Sequence, residues 1–177
     1  VVSRARTLRP ALAAGVCVAV VSPLSVVLGA AYGVADDELP AINGTFVAAS
    51  NGAYAKINDR YSDVPPVRAT WTISTTCTSF VDCAGRVTSD QGWAADISTT
   101  NGMWVIKHEI PAWQPCPDGT GAPGLQTFKF YPVDDQGFPD LTSRVFAGED
   151  ITKSPSGSCG RNQSLVIRMP LRLERID

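Results

Sequence analysis

Residues 165–174 read L-V-I-R-M-P-L-R-L-E, and the spacing inside this stretch decides the fold. Leu165, Ile167, Met169, Leu171 and Leu173 fall at every second position, with Arg168, Arg172 and Glu174 between them. A period of two places the five apolar side chains on one face of an extended strand and the charges on the other. On a helix the same residues would be scattered around the circumference. The stretch predicts a strand in a sheet with one buried and one wet face.

The pattern repeats upstream. In Arg68–Thr75, Ala69, Trp71 and Ile73 oppose Arg68, Thr70, Thr72 and Ser74. Similar short runs cover Gly44–Ala49, Gly85–Thr88, Trp93–Ser98, Met103–Ile110, Thr127–Val133 and Arg144–Ile151. Turn-forming residues separate them: Ser50-Asn51-Gly52, Asp90-Gln91-Gly92, Asn101-Gly102, Asp135-Gln136-Gly137 and Ser156-Gly157. Asn101-Gly102 is the strongest hairpin signal, because both residues tolerate the positive φ of a type I′ turn. Only Ala53–Arg60 admits a helical reading, and it serves equally well as a strand. About eight strands joined in sequence predict an all-β fold: an antiparallel meander closing into an up-and-down, calycin-like barrel. A β-sandwich is the alternative.

The first 35 residues follow a different rule. Arg4, Arg6 and Arg9 precede an uncharged apolar run from Ala11 to Ala31, and small residues stand at Gly33 and Ala35 before Asp36. A positive head, an apolar middle and a small-residue site predict a secretory signal peptide over residues 1–35. The alternative is an uncleaved N-terminal membrane anchor, since residues 11–31 are just long enough to span a bilayer. Either reading puts residues 36–177, one domain in length, in the secreted or cell-envelope space. That part carries twelve basic and seventeen acidic residues, a net charge of −5. With no basic run interleaved with aromatics, nucleic acid is excluded as a partner. The membrane enters only through residues 11–31, if they are retained.

Cys17 lies in the leader, which leaves Cys77, Cys83, Cys116 and Cys159. Four cysteines in an exported chain read as a disulfide framework with three connectivities. Cys77 and Cys83 bracket T-S-F-V-D between two strands, a spacing suited to a bridge across a hairpin mouth. Cys116 and Cys159 then pair across a span of 43 residues, a closure contributing on the order of 4 kcal/mol in the loop-entropy model. The spacings match no common zinc site, and no C-x-x-C pair is present. In W-Q-P-C-P-D-G-T (113–120) the prolines flanking Cys116 predict an irregular connector, with Asp118-Gly119 turning the chain.

T-W-T-I-S-T-T-C-T-S-F-V-D-C-A-G-R-V-T-S, W-Q-P-C-P-D-G-T and the later G-S-C-G together resemble small secreted or surface proteins of mycobacteria and related actinobacteria. The likeness spans most of the chain beyond the leader. It implies export and a disulfide-bonded β fold, and it carries over no catalytic residue.

Few residues look chemical. His108 is the only histidine and shares a strand face with Trp104, Ile106 and Ile110, so it should point inward. No G-x-S-x-G or S-x-x-K element accompanies it, which makes an envelope hydrolase built on His108 the least favoured reading. Asp134-Asp135 and Glu149-Asp150 are adjacent on strands and so point to opposite faces, forming no obvious acid/base pair. Asp134, Asp135 and Asp140 lack calcium-loop spacing and read as a solvated hairpin tip. Asn43-Gly44-Thr45 and Asn162-Gln163-Ser164 match the glycosylation acceptor pattern, which a bacterial-type leader discounts.

Trp71, Trp93, Trp104, Phe128 and Phe130, with His108, fall on inward faces and would line a cavity for a small apolar ligand if the barrel is hollow. If it is filled, they are its core, and the domain is structural or protein-binding. The chain is thus expected to be a non-enzymatic binding or interaction domain of the cell envelope. Its expected partner is a small apolar ligand or an envelope protein, and no metal or cofactor is expected.

Overall fold

In the computed structural model, which describes residues 40–177, the alternating runs become ten strands. They are β1 (Gly44–Ser50), β2 (Lys56–Ile57), β3 (Arg60–Tyr61), β4 (Val67–Cys77) and β5 (Cys83–Ser89). β6 (Ala94–Thr100), β7 (Met103–Pro115), β8 (Gly121–Pro132), β9 (Val145–Lys153) and β10 (Val166–Arg175) follow. The expected signal or anchor segment, residues 1–35, lies outside the described residues. Among the described residues no helix is long and apolar enough to cross a membrane.

From β4 to β10 each strand is antiparallel to the next. β1 lies between β4 and β10 and closes the sheet, with Phe46 opposite Trp71 on one side and Arg175 on the other. The result is a closed eight-stranded up-and-down barrel rather than a sandwich. Closure removes the free edges that an open sheet of this length would expose. The Asn101-Gly102 turn between β6 and β7 has φ of 51° and 76°, as a type I′ hairpin requires.

Two segments differ from expectation. Ala53–Arg60 is not helical: a 3₁₀ turn at Gly52–Tyr54 leads into the β2–β3 hairpin. Asn58 and Asp59 sit at φ 48° and 66° and reverse the chain there. Ile57 then pairs with Ile167 on the stretch of β10 that β1 does not reach. The connector around Cys116 is likewise no irregular loop. β7 and β8 stay paired out to Pro115 and Gly121, across a register shift between Ile110 and Gln114. The shift gives β7 two more residues than β8, with Ala112 at φ 51° inside the bulge; Pro115 is the last paired residue and Pro117 lies in the turn that follows.

Both expected disulfides are present, Cys77–Cys83 and Cys116–Cys159, so none of the four is a free thiol. They mark the two ends of the barrel. The lower end carries Cys77–Cys83, the β6–β7 and β8–β9 turns and the chain termini of the domain. The upper end carries Cys116–Cys159 and the β5–β6, β7–β8 and β9–β10 connections. Between them, inward residues alternate along every strand: Phe46 and Ala48; Ala69, Trp71 and Ile73; Trp104 and Ile106; Phe128 and Phe130; Leu171 and Leu173 are all buried. Gly148 of β9 belongs to this alternation. A Cβ there would come within 1.9 Å of the Lys129 carbonyl oxygen, so the β8–β9 contact requires glycine.

Candidate functional site

The middle of the barrel is filled by rings. Trp71 meets Phe128 edge-on at 4.8 Å and Trp93 at 5.5 Å, while Phe130 meets Phe146 at 5.9 Å and Phe146 meets Phe46 at 5.8 Å. Toward the upper end, His108 stacks on Trp93 with centroids 4.3 Å apart and planes 11° from parallel. Of the six residues expected to line a cavity, Trp93, His108 and Phe128 form one stack, and Trp71 meets Trp93 and Phe128 edge-on. Phe130 lies beneath it against Phe146 and Trp71. Trp104 belongs to the other end.

A polar chain crosses the barrel beside the stack. His108 Nε2 lies 2.8 Å from Gln126 Oε1, Gln126 Nε2 donates to Asp150 Oδ1 at 2.8 Å, and Ser50 Oγ donates to Asp150 Oδ2 at 2.7 Å. Asp150 is 1% exposed. Burial pushes its carboxyl pKa up, and the hydrogen bonds from Gln126 and Ser50 and the nearby His108 offset this only in part. An ionised Asp150 fixes the direction of the whole chain. The carboxylate can only accept, so Gln126 turns its NH₂ toward it and its carbonyl toward His108, whose Nε2 must carry a proton.

Serine, histidine and aspartate are therefore brought together, but in the wrong order for nucleophilic catalysis. Ser50 bonds to the carboxylate, and Gln126 separates Asp150 from the imidazole. A hydrolytic triad needs the imidazole between hydroxyl and carboxylate. Glu149 and Asp150 do point to opposite faces, as neighbours on a strand must. Parity alone also marks Asp150 as inward, since Phe146 lies four residues before it on β9. Its partners Ser50 and Gln126 come from other strands and carry no sequence signal.

The lower end is open. A cleft of about 460 Å³ has Phe46, Trp104 and Phe146 at its floor and Ile42, Phe80 and Leu141 around its rim. Its wall at Ile42 is pinned by Thr75, whose Oγ1 accepts from the Ile42 amide at 2.8 Å and donates to the Ile42 carbonyl at 2.9 Å. Phe80, Val81, Phe138, Leu141 and Ile176 are all more than half exposed, and all belong to the connections and terminus of this one end. Arg144 and Arg175 stand beside it, both engaged with Asp177. The apolar turn residues Phe80-Val81 and Leu141 are the sequence signal for this site, and strand-based reading passes over them.

No family model matches the chain, and no curated protein matches it in sequence. Among solved structures it is similar to the monomer form of the M. tuberculosis PknI sensor domain. The TM-score is 0.54 at 17% sequence identity, covering 77% of this chain and 88% of that one. At this identity the likeness is one of fold.

Proposed function

We propose that the chain is an extracytoplasmic, non-enzymatic binding domain of sensor type, and that it takes a small apolar ligand in the lower-end cleft. The observation that carries this reading is the cleft itself: an opening floored by the buried rings of Phe46, Trp104 and Phe146 and flanked by the exposed side chains of Phe80 and Leu141 on separate connections. Exposed apolar area concentrated at one place marks a binding site, whereas apolar residues scattered singly do not. A volume of about 460 Å³ suits a small molecule. Two disulfides suit an oxidising compartment, and the structural likeness to a sensor domain agrees with a recognition role. Export through residues 1–35 and the actinobacterial resemblance belong to the same proposal.

The ligand sits at the barrel mouth in this reading, not between Trp71, Trp93 and Phe128. Those rings pack on one another at 4.8–5.9 Å, which favours a filled mid-barrel. Trp104 is the tryptophan that lines the cleft, so it reports on occupancy. A fluorescent fatty acid should quench tryptophan emission saturably in the wild type, and Trp104→Phe should remove that response. Phe80→Ser with Leu141→Ser should weaken binding while leaving the denaturation midpoint unchanged. Quenching that survives Trp104→Phe, or affinity indifferent to the rim variants, would refute the assignment.

A further inference from the structure

We propose that the outer face of the sheet carries a second binding site, independent of the cleft: a groove between Arg68 and Arg172 that takes an oxyanion group on an apolar stem. Ala49 of β1 is paired directly with Arg68 of β4 on one side and with Arg172 of β10 on the other. Directly paired residues share a sheet face. Since Ala48 and Ser50 are buried inward, Ala49 and both arginines face outward. They form one row across three strands. Strand spacing sets the two arginine Cα atoms about 10 Å apart, with only a methyl group between their side chains. A groove of about 470 Å³ follows the row, lined also by Pro66, Val67 and Pro170.

The two arginines of this row are weakly paired. Elsewhere on the surface Arg86 reaches Asp96 at 2.8 Å, Arg175 reaches Asp177 at 2.8 Å and Arg168 reaches Glu149 at 3.8 Å. Arg68, like Arg60 and Arg161, has no carboxylate within ion-pair distance among the described residues, and Arg172 meets only Glu174, at 3.9 Å; only Arg68 and Arg172 share a row. Like charges in one cross-strand row are unfavourable, yet here they flank a small residue in a domain of net charge −5. Guanidinium groups approaching from both sides match the geometry of a carboxylate or phosphate, which each can grip with two parallel hydrogen bonds. Pro66, Val67 and Pro170 offer an apolar surface to the remainder of the ligand.

Amide NMR titration of residues 36–177 with inorganic phosphate, hexyl phosphate and hexanol tests the site. Hexyl phosphate should shift the Ala49 and Val67 amides saturably and bind more tightly than inorganic phosphate, and hexanol should not bind. Arg68→Gln and Arg172→Gln, both at exposed positions, should each weaken hexyl phosphate about tenfold, the usual weight of one charged hydrogen-bond partner. Arg86→Gln should leave it unchanged. Co-sedimentation with phosphatidylglycerol vesicles that is lost in the double variant would assign the oxyanion to a bilayer. Binding confined to soluble hexyl phosphate would assign it to a free ligand, and either result supports the site. Shifts that persist in the double variant, or that Arg86→Gln reduces equally, would overturn it.

Discussion

Replacing Asp150 by asparagine tests the polar chain, and the structure specifies three consequences. The first concerns pH. The folded-state pKa of Asp150 is raised above the ordinary value of 3.8 by burial, so between those two values the folded protein binds a proton that the unfolded chain has released. The stability from this group is complete below pH 3.8 and is lost as pH rises through the folded pKa. With one proton involved, the slope cannot exceed about 1.4 kcal/mol per pH unit. Asp118, Asp140 and Asp177 act in the opposite sense. Hydrogen bonds from Thr120, Thr142 and Arg175 hold their pKa values down, so their contribution is present above pH 3.8 and fades as pH falls. The wild-type profile mixes both trends, but the difference between Asp150→Asn and wild type isolates the buried group. That difference should grow in favour of the variant as pH rises, then level off.

The second consequence is local. Asparagine can present its Oδ1 to the Gln126 NH₂ and its own NH₂ to Ser50 Oγ, which then accepts instead of donating, so Gln126 keeps its carbonyl toward His108. The imidazole therefore keeps a proton on Nε2, toward the Gln126 carbonyl. With a single histidine in the chain, ring ¹⁵N shifts report the tautomer without assignment ambiguity. The third is a contrast: Asp150→Ala strands the Ser50 and Gln126 donors, at about 1–3 kcal/mol each, and should be the more damaging change. Urea denaturation at a series of pH values supplies the energies. A variant-minus-wild-type difference that does not vary with pH, together with a switched His108 tautomer, would refute the reasoning.

Two further outcomes follow from the scaffold. Cys116→Ser with Cys159→Ser opens a closure of 43 residues and should lower stability by on the order of 4 kcal/mol in denaturant titration; Cys77→Ser with Cys83→Ser opens a closure of only six residues and should lower it by less. Gly148→Ala forces a methyl group onto the Lys129 carbonyl, and by analogy with overpacked cores it should cost about 1–3 kcal/mol, visible as a lower denaturation midpoint.

The barrel strands were legible because each is amphipathic at period two, and alternation survives whatever the partner strand is. Where the local pattern was interrupted, legibility failed. The prolines flanking Cys116 read as ladder-breakers, yet a bulge holding one left-handed residue, Ala112, lets β7 stay paired with β8 as far as Pro115. Ala53–Arg60 is too short for its period to decide anything, and pairing to the leftover edge of β10 decided it. The inward direction of His108 could be read from Trp104 and Ile106. What it bonds to could not, because Gln126, Asp150 and Ser50 come from β8, β9 and β1 and meet only once the barrel closes. The lower cleft escaped for another reason: Phe80 and Leu141 lie in turns, where a strand-based reading attaches no meaning to an apolar side chain.

The polar chain also bears on how this sheet selects its pairing. Its buried carboxylate resists ionisation, and buried ionic groups are often replaceable by apolar residues without loss of stability. Its effect on specificity is larger. A one-residue slip of β8 against β9 would turn Gln126 and Phe128 to solvent and leave Asp150 buried beside outward-pattern residues with no donor. An all-apolar face discriminates against that slip only through burial of Phe128 and Phe130. The hydrogen-bonded chain adds the penalty of an unpaired buried carboxylate, and it does so across β7, β8, β9 and β1 together. The polar residues of the upper end thus add a penalty against a register slip to the one that burial of the rings already imposes.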